Sequence, residues 1–211
     1  MGKIVVFGAG GRAGRAAVAE ARRRGHQVTA VVRDPGRHGG PSADGVHLVA
    51  GDVTDGDSVA RVAAGHDAAI SAVYDAAAQP DTFYTGAARA LLDGLARAEV
   101  ARLLVVGLAS VLKTKHGVAL MDTPGYPQEY RLFYLAHAAG TQVLRTATTG
   151  VDWLVVSPAG DFDHGGARTG RYRTAVADAA SRVSYADLAV ALIDEMETPT
   201  HHRTHLGVEA A

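Results

Sequence analysis

There is no cysteine anywhere in the 211 residues, which excludes disulfides, thiol nucleophiles and thiolate metal sites. Charge of either sign is not in excess. The formal net charge is −1, so no electrostatic footprint for nucleic acid exists. No apolar run approaches the roughly 20 residues that span a bilayer, and the N-terminus reads as a strand rather than a signal peptide. A cytoplasmic protein is expected, without membrane or nucleic-acid partners. Lysine is confined to Lys3, Lys113 and Lys115. His201, His202 and His205 come without an accompanying carboxylate pattern, so no metal site is expected. No internal repeat, linker or composition break divides the chain, and its length suits a single domain over 1–211.

What is present is glycine, concentrated where it carries information. Ile4 to Phe7 is a short unbroken apolar run, as in a strand covered on both faces of a parallel sheet. Gly8, Gly10, Gly11 and Gly14 follow, then a helical stretch from Arg15 to Arg24. Strand, glycine turn and helix form the context of a dinucleotide-binding fingerprint. Gly8 permits the tight exit from the strand. Gly10 or Gly11 lets backbone N–H groups approach a pyrophosphate, and Gly14 lets the helix sit close to the sheet.

Alternation of strand and helix continues down the chain. Strands are expected at Gln27–Val32, Val46–Ala50, Asp67–Val73, Arg102–Leu108, Asp152–Ser157 and Arg203–Val208. Helices are expected from a Thr54/Asp57 cap to about Ala64, over 82–99, from about Gln128 to Thr148, and from a Ser184/Asp187 capping box to about Glu197. Residues 111–127 and 158–182 read as irregular. This order predicts an α/β fold, a Rossmann-type doubly wound parallel sheet with a small C-terminal lobe over about 158–211.

Three stretches resemble a known family. They are Gly8-Ala-Gly-Gly-Arg-Ala-Gly14, Asp152–Ala159 with Arg168–Arg173, and Val183–Ala189 with Asp194-Glu195 and Pro199–His201. Together they are similar to atypical short-chain dehydrogenases/reductases of the NmrA-like and biliverdin-reductase-B-like group, nearest to the small proteins described as NADH-flavin reductases. The larger superfamily activates a tyrosine with a lysine four residues on. Here Tyr126, Tyr130 and Tyr134 are followed at that distance by Tyr130, Tyr134 and Ala138. The related reductases often carry Gly-Gly-Ala-Gly-Ser after the fifth strand, whereas this chain reads Gly107-Leu-Ala-Ser-Val111, which displaces Ser110 by one residue from that catalytic serine.

Candidate residues follow. Gly8, Gly10, Gly11, Arg12, Ala13 and Gly14 form the expected cofactor loop. Arg33 lies about 20 residues past it, where it can pair with a 2′-phosphate. NADP(H) is therefore favoured over NAD(H), although Asp34 beside it could instead reach a ribose. The resemblance implies that Asp52 and Val53 hold the adenine, and a bare turn cap is the alternative for Asp52. Ala72, Val73 and Tyr74 should pass the cofactor ribose, and Pro158 and Ala159 should flank the nicotinamide, since ligands sit at the C-terminal strand ends. On helix 128–148, Leu132, Leu135, Ala139 and Val143 form an apolar stripe expected to pack on the sheet, with Tyr130, Tyr134, His137 and Thr141 opposite. His137, with an ordinary pKa near 6.5, is the candidate proton donor if that face borders the cleft, and an exposed polar face is the alternative. The Arg168–Arg173 stretch would either meet an anion or dock the C-terminal lobe.

The expected function is an NADPH-dependent oxidoreductase, monomeric or homodimeric, acting on a flavin, quinone or related flat acceptor. An NADP(H)-binding redox sensor of the NmrA type remains open, as does a biosynthetic tailoring reductase or isomerase.

Overall fold

The computed structural model describes residues 1–38, 45–75 and 77–211. Its centre is β1 (Lys3–Phe7), whose alternating side chains feed two separate cores. Val5 and Phe7 point to one face, where Leu91, Leu95, Leu103 and Trp153 pack. Ile4 and Val6 point to the other, among Ala17, Ala21, Leu154, Leu188 and Leu192. That two-sided burial is why the strand is apolar at every inner position.

The remaining elements are α1 (Arg12–Arg23), β2 (Gln27–Val32), β3 (Val46–Ala50), α2 (Gly56–Ala63), β4 (Ala68–Ser71), α3 (Pro80–Arg97), β5 (Arg102–Val106) and α4 (Arg131–Thr146). Then come β6 (Asp152–Pro158), β7 (Asp161–Asp163), β8 (Tyr172–Thr174), β9 (Arg182–Ser184), α5 (Tyr185–Glu197) and β10 (Thr204–Ala210). The main sheet runs β3-β2-β1-β4-β5-β6-β10-β8, parallel except for β8 at its edge. Strand order reverses between β1 and β4, the switch point where α/β sheets open a crevice. The Rossmann-type class read from the sequence is the one observed.

Several boundaries move for physical reasons. The first helix begins at Arg12, inside the glycine loop, and not at Arg15. Strand 67–73 shortens to β4, releasing Ala72 and Val73 into the crevice. Asp55, not Thr54, caps α2 by accepting from the Asp57 N–H, while Thr54 bonds Asp52. Ser184 does cap α5 by accepting from the Asp187 N–H. Asp187 itself does not reach back. Its carboxylate accepts from Thr169 and Gly170 and pins that loop. The stretch 158–182 is less irregular than expected, because β7 pairs with β9 and β8 with β10. These three-residue strands exist only through partners distant in sequence.

The expected packing of α4 fails at Leu132 and Leu135, although Val143 does pack against the core. Leu132 is 82% exposed and Leu135 44%, whereas Tyr134, Ala136, Gly140, Thr141 and Leu144 are buried. Gly140 decides the orientation, since a Cβ there would lie 3.0 Å from the Tyr84 carbonyl. The small residues of α4 thus face α3 closely, and Leu132 and Leu135 turn outward. On α3, by contrast, Tyr84, Ala88, Leu91 and Leu95 are buried as their spacing predicts.

A buried ionic cluster ties the last strand to the sheet. Arg102 bonds Asp152 at 2.6 Å, the Glu195 carboxylate at 3.3 Å and the His201 carbonyl at 3.0 Å. Burial would raise the Glu195 pKa, but hydrogen bonds from Thr200 and His201 outweigh it and hold it at about 2. A depressed carboxylate contributes stability that is present above its unfolded value, near 4.5, and is lost as pH falls towards 2. Urea midpoints followed from pH 6 to pH 2 should fall steeply for the wild type, by about 3 kcal/mol from this group. Glu195→Gln should be destabilised at pH 6 and show a shallower fall. Parallel profiles would remove Glu195 from the acid response.

Candidate functional site

The crevice at the switch point opens into two chambers that share a wall. Gly8 starts it. Its φ is +77°, and a Cβ there would lie 2.4 Å from the Ala72 carbonyl, so only glycine permits the turn beside β4. Gly14 closes it, because a Cβ there would meet the Gly8 carbonyl at 2.1 Å. The chain therefore crosses itself at backbone contact, and α1 starts directly over the crevice. Its N-cap is Gly11, with no side-chain cap and no acidic residue in the first turn. A helix start with this composition leaves N–H groups and positive charge for an anion.

The first chamber, about 430 Å³, is lined by Gly8, Gly10, Gly11, Arg33, Asp52, Val53, Ala72, Val73 and Tyr74. Nine of the predicted residues thus meet in one groove. Asp52 is there, yet its carboxylate accepts from the Thr54 N–H at 2.8 Å and the Thr54 hydroxyl at 2.7 Å. It shapes the turn that presents Val53. Arg33 is exposed and forms an ion pair with Asp75, another lining residue, which the sequence did not single out. A backbone N–H from Ala77, ahead of that arginine, holds the Asp75 carboxyl below its ordinary range. A glycine-lined groove of this size, with a bare helix start and an arginine at its far end, fits a nicotinamide dinucleotide.

The second chamber, about 390 Å³, shares Gly11, Ala72, Val73 and Tyr74 with the first. Arg12 and Ala13 line it from α1, and not the first chamber. Its walls are aromatic: Tyr74, Tyr84, Phe133, His137, Phe162 and Tyr185. Phe162 and Tyr185 stack at 4.0 Å with 14° between their planes. Phe133 meets Tyr74 edge-on at 5.9 Å. The sequence reading missed Phe133, Phe162 and Tyr185. The last two come together only because β7 lies beside β9.

His137 does reach this chamber, on the face of α4 that turned inward. Its ring packs 3.8 Å from that of Tyr84 and 4.8 Å from that of Phe133. Burial, and secondarily His205, push its pKa down to about 3. That lies below the ordinary value near 6.5 and disfavours the charged imidazole. Tyr84 shares the wall. Its buried hydroxyl has no hydrogen-bond partner among the described residues, and burial raises its pKa.

Other expected residues lie elsewhere. Ser110 is 1% exposed, its hydroxyl has no hydrogen-bond partner among the described residues, and it lines neither chamber. Pro158 and Ala159 are buried and also line neither. Their strand pairs with β10 up to Val208, and Gly107 and Leu108, not Pro158 and Ala159, line the second chamber. Gly107 is itself confined, since a Cβ would lie 2.6 Å from the Ser157 hydroxyl. Tyr130 stands 58% exposed. The C-terminal histidines have separate partners: Glu195 for His201, Asp152 for His202 and Ser157 for His205. Arg168 bonds the buried Glu20 at 2.9 Å, which ties the loop before β8 to α1.

Comparison with known proteins gives a consistent picture. A family model described as NAD(P)H-binding matches residues 8–199. Three solved structures, all with provisional names, are similar over nearly their full lengths. One, from Burkholderia pseudomallei, is named an exported protein, with 36% identity, a TM-score of 0.86, and 99% of this chain and 100% of that one covered. A second, from Streptococcus pneumoniae, is named an NADH-flavin reductase, with 32% identity, a TM-score of 0.84 and both chains covered completely. The third, from Bacteroides thetaiotaomicron, is named an epimerase, with 34% identity, a TM-score of 0.85, and 99% and 96% covered.

Proposed function

The chain belongs to the NAD(P)H-binding family, and from that premise we propose that it is a reductase taking NADPH in preference to NADH. Its acceptor is a flat conjugated molecule, a flavin or a quinone. The observation that carries this reading is the aromatic second chamber, joined to the glycine-lined groove along Ala72, Val73 and Tyr74. When bound, the dihydronicotinamide supplies a hydride. The residues around it position the acceptor and exclude water. Gly107 and Leu108 floor the chamber, and the Phe162–Tyr185 stack offers a flat wall for a conjugated ring. Burial disfavours a charged His137, and in this reading the proton that follows the hydride is drawn from solvent. No helix among the described residues is long and apolar enough to cross a membrane, and we assign the protein to the cytoplasm.

Oxidation of NADPH and NADH is to be followed with FMN, with a quinone and with no acceptor. Turnover only with acceptor supports the reductase. Tight nucleotide binding without turnover on any flavin or quinone would replace it by a sensor.

Cofactor preference is assigned to Arg33. Its guanidinium uses one nitrogen on Asp75 and keeps further donors for a 2′-phosphate. Arg33→Ala should weaken NADPH roughly 10- to 150-fold and leave NADH nearly unchanged, as read by calorimetric titration. Equal losses for both nucleotides would remove Arg33 from specificity.

A further inference from the structure

We propose that the acceptor of this reductase carries an anionic group, a phosphate or carboxylate, seated by Arg12 and Tyr185 at the wall of the second chamber. The inference rests on the reductase reading and adds the chemical class of the acceptor. Arg12 leaves the glycine loop on the side of the second chamber, away from the dinucleotide groove. Its guanidinium donates to His164 Nδ1 at 2.8 Å, and the Tyr185 hydroxyl lies 3.2 Å from the same nitrogen. An arginine nitrogen can only donate, so His164 Nδ1 is the acceptor in this contact. The contact aims the guanidinium and does not neutralise it.

No carboxylate neutralises it either. Arg24, Arg102 and Arg168 each have one within 3.3 Å, whereas Arg12 has none within 4 Å among the described residues. Among the described residues, the lining of the chamber contains no aspartate or glutamate, and burial disfavours charge on His137. Arg12 is thus the one arginine or lysine among those lining residues, in an aromatic surround. One guanidinium N–H is used on His164, and the fork keeps donors in the geometry that phosphate and carboxylate accept. Tyr185 adds a hydroxyl at the same place while its ring stacks on Phe162, so flat-ring and anion recognition are adjacent.

The competing source of an anion is the cofactor's own pyrophosphate, and the experiment separates the two. Acceptors are compared in pairs that share a ring and differ in charge: FMN with riboflavin, and 1,4-naphthoquinone-2-sulfonate with 1,4-naphthoquinone, at saturating NADPH. The charged member should have a kcat/KM about tenfold higher, carried by KM, as expected for one charge-assisted contact. Arg12→Met should collapse the ratio towards one, Arg12→Lys should keep part of it, and NADPH affinity by titration should not fall with it. Equal kcat/KM within each wild-type pair would overturn the anion seat while leaving the reductase standing. So would a ratio that survives Arg12→Met, or an NADPH affinity that drops by the same factor as the ratio, which would give Arg12 to the pyrophosphate. If no flavin or quinone is reduced, the reductase reading fails. The seat is then read from FMN and riboflavin binding to the NADP⁺-loaded protein, where equal affinities overturn it.

Discussion

Gly11→Val is expected to leave the fold intact and to weaken NADPH and NADH alike by about 100-fold or more. Within the protein a Cβ at Gly11 has room. Its nearest neighbour is the Gly8 carbonyl at 3.5 Å, an ordinary contact. The backbone is ordinary too, with φ −77° and ψ 171°, an extended conformation that valine adopts readily. What the side chain would occupy is space in both chambers, directly in front of the α1 N-terminus. Phosphate contacts to backbone N–H groups are charge-assisted and worth about 1.5–3 kcal/mol each, so displacing a pyrophosphate from more than one of them gives the stated loss. Gly14→Ala makes the contrast. Its Cβ would stand 2.1 Å from the Gly8 carbonyl and 2.8 Å from Ala9 Cα. That variant should lose thermal stability before any question of binding arises. Circular dichroism melts and nucleotide titration on both variants separate the two effects. A Gly11→Val protein that bound NADPH normally would place the cofactor elsewhere.

Flavins or quinones are expected to be reduced at least about 100-fold faster than simple aliphatic ketones. A ketone that accepts hydride develops an alkoxide and needs a proton in the same step. General acid catalysis of that transfer is worth typically 10²–10⁴-fold. None of the tyrosines that line the chamber, Tyr74, Tyr84 and Tyr185, has a lysine four residues on to activate it. Burial disfavours the imidazolium form of His137, and burial raises the pKa of Tyr84. Tyr130 and Tyr134 do not line the chamber, and neither has lysine four residues on. A flavin or quinone spreads the incoming charge over its rings and is protonated from water afterwards. Tyr130→Phe and Tyr134→Phe should therefore retain most activity, and His137→Ala should lose no more than about tenfold, below the general-acid range. Steady-state kinetics with both acceptor classes decides the matter. Abolished turnover in either tyrosine variant would make a tyrosine the acid and end the stacked-acceptor mechanism.

Much of the groove was legible from residue order, because its requirements are local. A strand that exits at backbone contact needs Gly8, and a helix that starts on that same contact needs Gly14. Both demands fall within seven consecutive positions. The alternation of apolar strands and capped helices likewise defined the doubly wound sheet, since period and turn chemistry are properties of neighbouring residues. Ala72 and Val73 entered the groove for the same reason, standing at a strand end.

The aromatic wall of the second chamber was legible only in part, through Tyr74 and His137. Helix α4 offers aliphatic residues on one face and aromatic or small ones on the other, and periodicity alone does not say which face turns inward. Close approach to Tyr84 at Gly140 settled it, against the hydropathy of Leu132 and Leu135. Phe162 and Tyr185 lie 23 positions apart and stack only because a three-residue strand found its partner. The direction of Arg12 depends on His164, 152 residues away. By itself the sequence determined the fold and the glycine loop, where sterics act between near neighbours. Which side chains wall the second chamber, and which charge stands in it unpaired, was decided by tertiary contacts. Packing and pairing across the sheet join positions that carry no mark of one another along the chain.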